Sequence, residues 1–177
     1  DNIAKDFLRK IDDVIKKEFF ELEGLKGIIL GGPGPAKEDF LKEGNLVTAL
    51  EDKIIGVKDI GYADEHGIEL LVEISQDLLS EQEIIMEKKV LEKFFNMLGK
   101  EREKTAYGEK EVSKALDYGA VDTILLSKKL RREDLKKFIK KAKETSVDVE
   151  LISTETEEGE QFFNLSGVGA ILRFKLK

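Results

Sequence analysis

From residue 109 onward, stretches with helical spacing alternate with short apolar runs of strand length. This alternation most narrows the folds open to the chain. Residues 109–118 read as a helix closed by Gly119, and 121–126 as a strand. Residues 132–143 read as a helix, 147–152 as a strand, 156–165 as a short helix and 169–176 as a strand. Helices and strands in strict alternation cover both faces of one sheet. The spacing therefore predicts an α/β/α sandwich.

The first hundred residues carry a different pattern. Ile3, Phe7, Ile11, Val14, Ile15, Phe19 and Leu22 recur at three- and four-residue steps, one face of a helix that Gly24 ends. Residues 26–30 form an apolar run between glycines and predict a buried strand; residues 53–62 predict a second. Pro35 suits the start of a helix over 36–42. Residues 65–100 are helical in pattern. Ser80 with Glu83 three residues later reads as a capping box, so two helices, or one kinked helix, are expected to break near Ser80. The mixed-charge stretch 99–105 reads as a linker and hinge. The expectation is two small α/β domains, 1–103 and 104–177, which a chain of 177 residues can accommodate.

Charge limits the function. With 30 Lys and Arg against 37 Asp and Glu, the net charge is −7. Such a chain is no general nucleic-acid binder, because the phosphate backbone dominates that affinity. The absence of cysteine rules out a disulfide framework or a thiolate metal site, and a cytoplasmic location is expected. No apolar run approaches the ~20 residues a helical membrane span needs.

Candidate chemistry is sparse. The loop from Gly31 to Lys37 sits between a strand and a helix, where a phosphate-binding loop would lie. Such a loop needs a hydroxyl directly after its lysine, but Glu38 follows Lys37. Pro33 and Pro35 also remove two amide donors. A rigid turn is expected, with a nucleotide-binding enzyme built on this loop as the alternative of another class. His66, the single histidine in a chain without cysteine, cannot make a common zinc site, though carboxylates could add ligands, and a surface residue is expected. Acidic pairs such as Asp12–Asp13, Asp64–Glu65 and Glu157–Glu158 are what a surface with 37 acids contains. No metal or cofactor is expected.

Two charge runs stand out. Residues 128–143 carry nine basic residues and two acids; residues 148–160 carry six acids and no base. Leu135, Phe138 and Ile139 mark the core face of the basic helix. Its lysines read either as a solvated face or as a docking patch for RNA or an acidic partner. Near the end, Gly167 and Gly169 lead into an apolar strand through Ile171 and Leu172 to Arg173 and Phe174. Arg173 reads as a structural arginine at a sheet edge or as a partner contact.

Several stretches together carry a family resemblance. Ala170-Ile171-Leu172-Arg173-Phe174, after the acidic run ending Gly159-Glu160-Gln161-Phe162, resembles the Gly-Ile-Leu-Arg-Tyr strand that ends the third domain of archaeal and eukaryotic class I peptide chain release factors. Residues 25–40, with Gly31-Gly32-Pro33-Gly34-Pro35, resemble that family's middle domain. Tyr107-Gly108 and the run 115–123 resemble the opening of its third domain. The resemblance implies a C-terminal piece of a factor that reads stop codons and triggers peptidyl-tRNA hydrolysis. It also implies a third domain resembling kink-turn-binding ribosomal proteins. The implied partners are a translational GTPase of the elongation-factor family, the ribosome and a twin-ATPase recycling factor. Gly167, Gly169, Ile171, Leu172, Arg173 and Phe174 are the implied GTPase-binding residues. No enzyme acting alone is implied.

Two departures qualify this. No Gly-Gly-Gln occurs, so the element on which release depends is not in this chain, nor is the Asn-Ile-Lys-Ser motif of the decoding domain. The small insertion usual after the first strand of the third domain is also missing, since Leu126-Ser127 runs almost directly into the basic helix. Pelota, the rescue factor for stalled ribosomes, shares the two domains without that insertion and is the alternative within the resemblance.

Overall fold

A computed structural model describes residues 2–176 and divides by contact into two compact units, Asp1–Gln82 and Glu83–Lys177. Both are small α/β assemblies, as expected.

The first unit contains α1 (Asn2–Phe19), β1 (Ile28–Gly32), α2 (Ala36–Glu43), α3 (Thr48–Glu51), β2 (Ile54–Asp59) and α4 (Glu65–Ile74). β1 and β2 pair in parallel, Leu30 opposite Val57. Leu8, Ile28, Phe40, Leu50 and Ile60 are its buried apolar residues. The long helical stretch breaks at Ser75 rather than near Ser80. Ser75 is fully buried and closes α4, its amide donating to Val72. Ser80 and Glu83 lie inside α5 (Gln76–Lys100), so the expected capping box does not form.

The second unit is a three-layer sandwich. β3 (Thr105–Tyr107), α6 (Glu109–Asp117), β4 (Val121–Ser127), α7 (Arg132–Glu144), β5 (Asp148–Ile152), α8 (Glu157–Leu165) and β6 (Val168–Leu172) follow α5. The sheet order is β3-β6-β4-β5; β4 and β5 are parallel, and β6 is antiparallel to both its neighbours. Alternation sends adjacent side chains to opposite faces. Ile124 and Leu126, with Val168, Ala170 and Leu172, meet Val112, Leu116, Phe138 and Ala142 of α6 and α7. Leu125 and Ile171 meet Leu91 and Phe94 of α5 and Phe162 of α8.

This second face explains why the contact division falls at Gln82/Glu83 whereas the sequence places the boundary at 103/104. The C-terminal part of α5 is one of the sandwich's own helices. Residues 99–105 are not an irregular linker. α5 continues to Lys100, a 3-10 turn spans Arg102–Lys104, and β3 starts at Thr105, whose hydroxyl donates to the Arg102 carbonyl.

Candidate partner-binding surface

β6 is an inner strand, and that governs the six residues expected to bind a partner. Gly167, Gly169, Ile171 and Leu172 are buried. Gly167 adopts φ +72 in the turn entering the strand, and its carbonyl accepts the Ser127 amide at 2.8 Å. Gly169 leaves room for aromatic rings. A Cβ there would lie 2.9 Å from Phe162 and 3.0 Å from Phe94. The space that Gly169 leaves is thus filled by this unit's own core. Ile171 and Leu172 fill the two cores on either side of the sheet.

Arg173 and Phe174 remain on the surface, just past the end of β6. The Arg173 amide donates to the Ala120 carbonyl at 2.7 Å, which fixes the exit of the strand. Its guanidinium donates to the Ser146 carbonyl at 3.1 Å and lies 4.0 Å from the Asp122 carboxylate. Its partners within the unit are therefore Asp122 and a backbone carbonyl. Exposed pairs of this kind contribute little to stability, which leaves the charge available to a ligand. Phe174 is 49% exposed beside it. Arginine is one of the residue types in which interface hot spots are enriched.

A second feature was not foreseen. At the C-terminal ends of β4 and β5, the buried Glu87 of α5 accepts from the Ser153 amide at 3.1 Å and the Ser153 hydroxyl at 2.9 Å. Lys128 lies 3.7 Å from Glu87 and donates to Glu83 at 2.6 Å. The hydrogen bond with Glu83 raises the Lys128 ammonium above its usual value. This network ties α5 to the loops after β4 and β5. Nothing distinguishes Glu87 among the other acids of the sequence, because its role comes from burial alone.

The loop between β1 and α2 does not form a phosphate cradle. The Lys37 side chain is buried, and its ammonium donates to the Gly34 carbonyl at 2.6 Å and to the Asp59 carboxylate, with Glu38 at 3.3 Å. The lysine that would reach a nucleotide phosphate is spent on closing its own loop. His66 is exposed, edge-on to Tyr62 and 3.9 Å from Glu69. Among the described residues no group of three or more His, Asp or Glu is placed to hold a metal ion. Among them no helix is long and apolar enough to cross a membrane.

Family models match the chain in two consecutive stretches: eRF1 domain 2 over residues 1–81 and eRF1 domain 3 over residues 84–176. Peptide chain release factor subunit 1 of Pyrococcus abyssi is 38% identical over 221 residues, covering 97% of this chain and 53% of that protein. The chain thus spans about half the length of the curated relatives it matches. The same factor of Pyrobaculum aerophilum is 33% identical over 167 residues, covering 94% of this chain and 43% of that protein. The first alignment is longer than this chain, so the Pyrococcus protein carries residues absent here; the second has no such excess. A missing insertion therefore does not by itself separate this chain from release factors. Among solved structures, an archaeal pelota within a model of ribosome-bound pelota and ABCE1 gives a TM-score of 0.64 at 28% identity, covering 99% of this chain and 50% of that one.

Proposed function

The chain belongs to the eRF1 family of peptide chain release factors, matching its domains 2 and 3, and on that premise we propose that it is the scaffolding and partner-docking part of a translation termination factor. The family match over residues 84–176 carries this reading. In it, the second unit docks a translational GTPase of the elongation-factor family through Arg173 and Phe174. The first unit is the base of the domain that carries the release loop. The ribosome and a twin-ATPase recycling factor are the further partners. The similarity to a pelota captured with the ribosome and ABCE1 supports that assignment. The chain acts by adhesion and placement in the cytoplasm, and needs no cofactor of its own.

Binding measured by calorimetry against an archaeal GTPase of the elongation-factor family tests the docking role. Arg173→Glu is expected to weaken binding at least about tenfold, as loss of an interfacial charge contact does, with the circular dichroism spectrum retained. Unchanged affinity in both Arg173→Glu and Phe174→Ala would place docking elsewhere.

One observation favours a second reading, a pelota-like rescue factor: the structural likeness to pelota at TM-score 0.64. Peptide sequencing of the native protein decides between them. A Gly-Gly-Gln loop in its middle domain means termination, and a complete middle domain without one means rescue.

A further inference from the structure

The helical layer formed by α6 and α7 carries a charge pattern that the docking role leaves unused. From residue 136 to 143 there are five lysines and no acid. Phe138 and Ala142 turn into the core, so Lys136, Lys137, Lys140 and Lys143 are left exposed. α6 lies alongside, where Lys141 of α7 donates to Ser113 and to Asp117, each at 3.0 Å. α6 adds the exposed Lys110 and Lys114, and at its end Tyr118 is 65% exposed. Lys110, Lys114, Lys137 and Tyr118, with Glu109 and Asp117, line a depression of about 640 Å³.

Among the described residues none of Lys110, Lys114, Lys136, Lys137, Lys140 or Lys143 forms an ion pair. In a chain of net charge −7, a group of unpaired cations this size makes a local positive field. The helix dipole accounts for lysines in the last turn of α7 and no further, because its effect fades within one turn. It does not account for Lys136 and Lys137 in mid-helix, or for Lys110 and Lys114 on the neighbouring helix.

We propose that this α6–α7 face docks the phosphate backbone of RNA, with Tyr118 offering a ring on which a base can stack. An acidic protein is the poorer occupant. Protein interfaces rely on a central apolar or aromatic anchor in a pocket, and here the apolar surface is Tyr118 and the half-buried Ile139. Lysines are point charges suited to phosphate. Lys136, Lys140 and Lys143 recur about once per turn over ~10 Å of helix, so they can track one strand. Recognition of this kind is independent of sequence.

Fluorescence anisotropy of the full chain with labelled single-stranded RNA tests this. Binding is expected to weaken steeply between about 50 and 200 mM salt, the log–log slope carrying roughly 0.7 per phosphate contacted. Lys136→Glu with Lys140→Glu should weaken binding at least about tenfold and lower that slope by about 1.4. Tyr118→Ala should weaken single-stranded RNA more than duplex RNA, since stacking needs an unpaired base. Lys89→Glu with Lys93→Glu changes the net charge equally from α5, on the opposite face of the sheet, and should have little effect. The proposal is overturned if RNA does not bind at low salt, if binding ignores salt, or if the α5 pair weakens it as much. It is also overturned if a polyglutamate peptide displaces RNA charge for charge, which would make an acidic protein the occupant. Arg173 adjoins one end of this face through Ala120 and Ser146, but neither Arg173 nor Phe174 is among the residues substituted. A chain that binds RNA but not the GTPase sinks only the docking reading, and the converse result sinks only this one.

Discussion

Lys37 shows how strongly one side chain's surroundings set what it can do. Its ammonium is raised above the usual lysine value, chiefly by the hydrogen bond with Asp59. A raised folded-state value means the stabilisation is complete below the unfolded value of about 10.4 and is lost as pH climbs through the higher folded value. The unfolding midpoint of the first unit should therefore fall above pH about 10.4, and fall less in Lys37→Met; equal pH profiles would remove Lys37 from the clamp. Because the ammonium is already engaged, magnesium–ATP or magnesium–GTP should leave the midpoint unchanged, since only a ligand that binds the native state raises it. Gly169 is the counterpart in the second unit. Gly169→Ala pushes a Cβ against Phe94 and Phe162 and should destabilise by about 1–3 kcal/mol in denaturant unfolding. The absence of a hydroxyl after Lys37 was legible in the sequence, because the phosphate loop is defined by local order. The seat of Gly169 between two rings was not, because both rings come from other elements.

At the scale of elements, the inner strands were the easiest to read. β4 and β6 are short apolar runs flanked by glycine-marked turns, and both lie within the strands expected, 121–126 and 169–176, to within one residue except at the C-terminus of β6. β6 ends early, at Leu172, with Arg173 just beyond it held by Ala120 and Ser146. β3 is only three residues long, and its pairing with β6 is a long-range contact that no local pattern announces. α5 was legible as a helix but not as a core element. Its charges are spread over the sequence, and its buried face appears only once Leu91 and Phe94 meet the sheet. Phe94 is fully buried, edge-to-face with Phe162 at 5.7 Å. Phe94→Ala should therefore cost about 3–5 kcal/mol, read as a lowered denaturant midpoint for the second unit. A change below 1 kcal/mol, that of an ordinary surface substitution, would mean that α5 does not support the sandwich.

The whole molecule turns on where the second unit starts. A boundary at 103/104 follows from composition, because charge density and a glycine mark residues 99–105. Contacts divide the chain at Gln82/Glu83 instead, and the third-domain family model begins at residue 84. The two divisions differ in what they leave uncovered. A piece starting at residue 104 loses Leu91 and Phe94 from the core, with Val90, Phe95, Met97 and Leu98 beside them. Each large apolar side chain buried is worth about 1.5–3 kcal/mol, against a total stability of about 5–15 kcal/mol for a domain. It also loses Glu87, leaving the Ser153 amide and hydroxyl without their acceptor. Residues 83–177 expressed alone should accordingly unfold in one cooperative transition. Residues 104–177 should bind hydrophobic dye and lose near-ultraviolet dichroism while keeping helical signal, the behaviour of a compact state without fixed packing. Equal cooperativity in the two pieces would return the boundary to 103/104. It would also make α5 a connector rather than a layer of the sandwich.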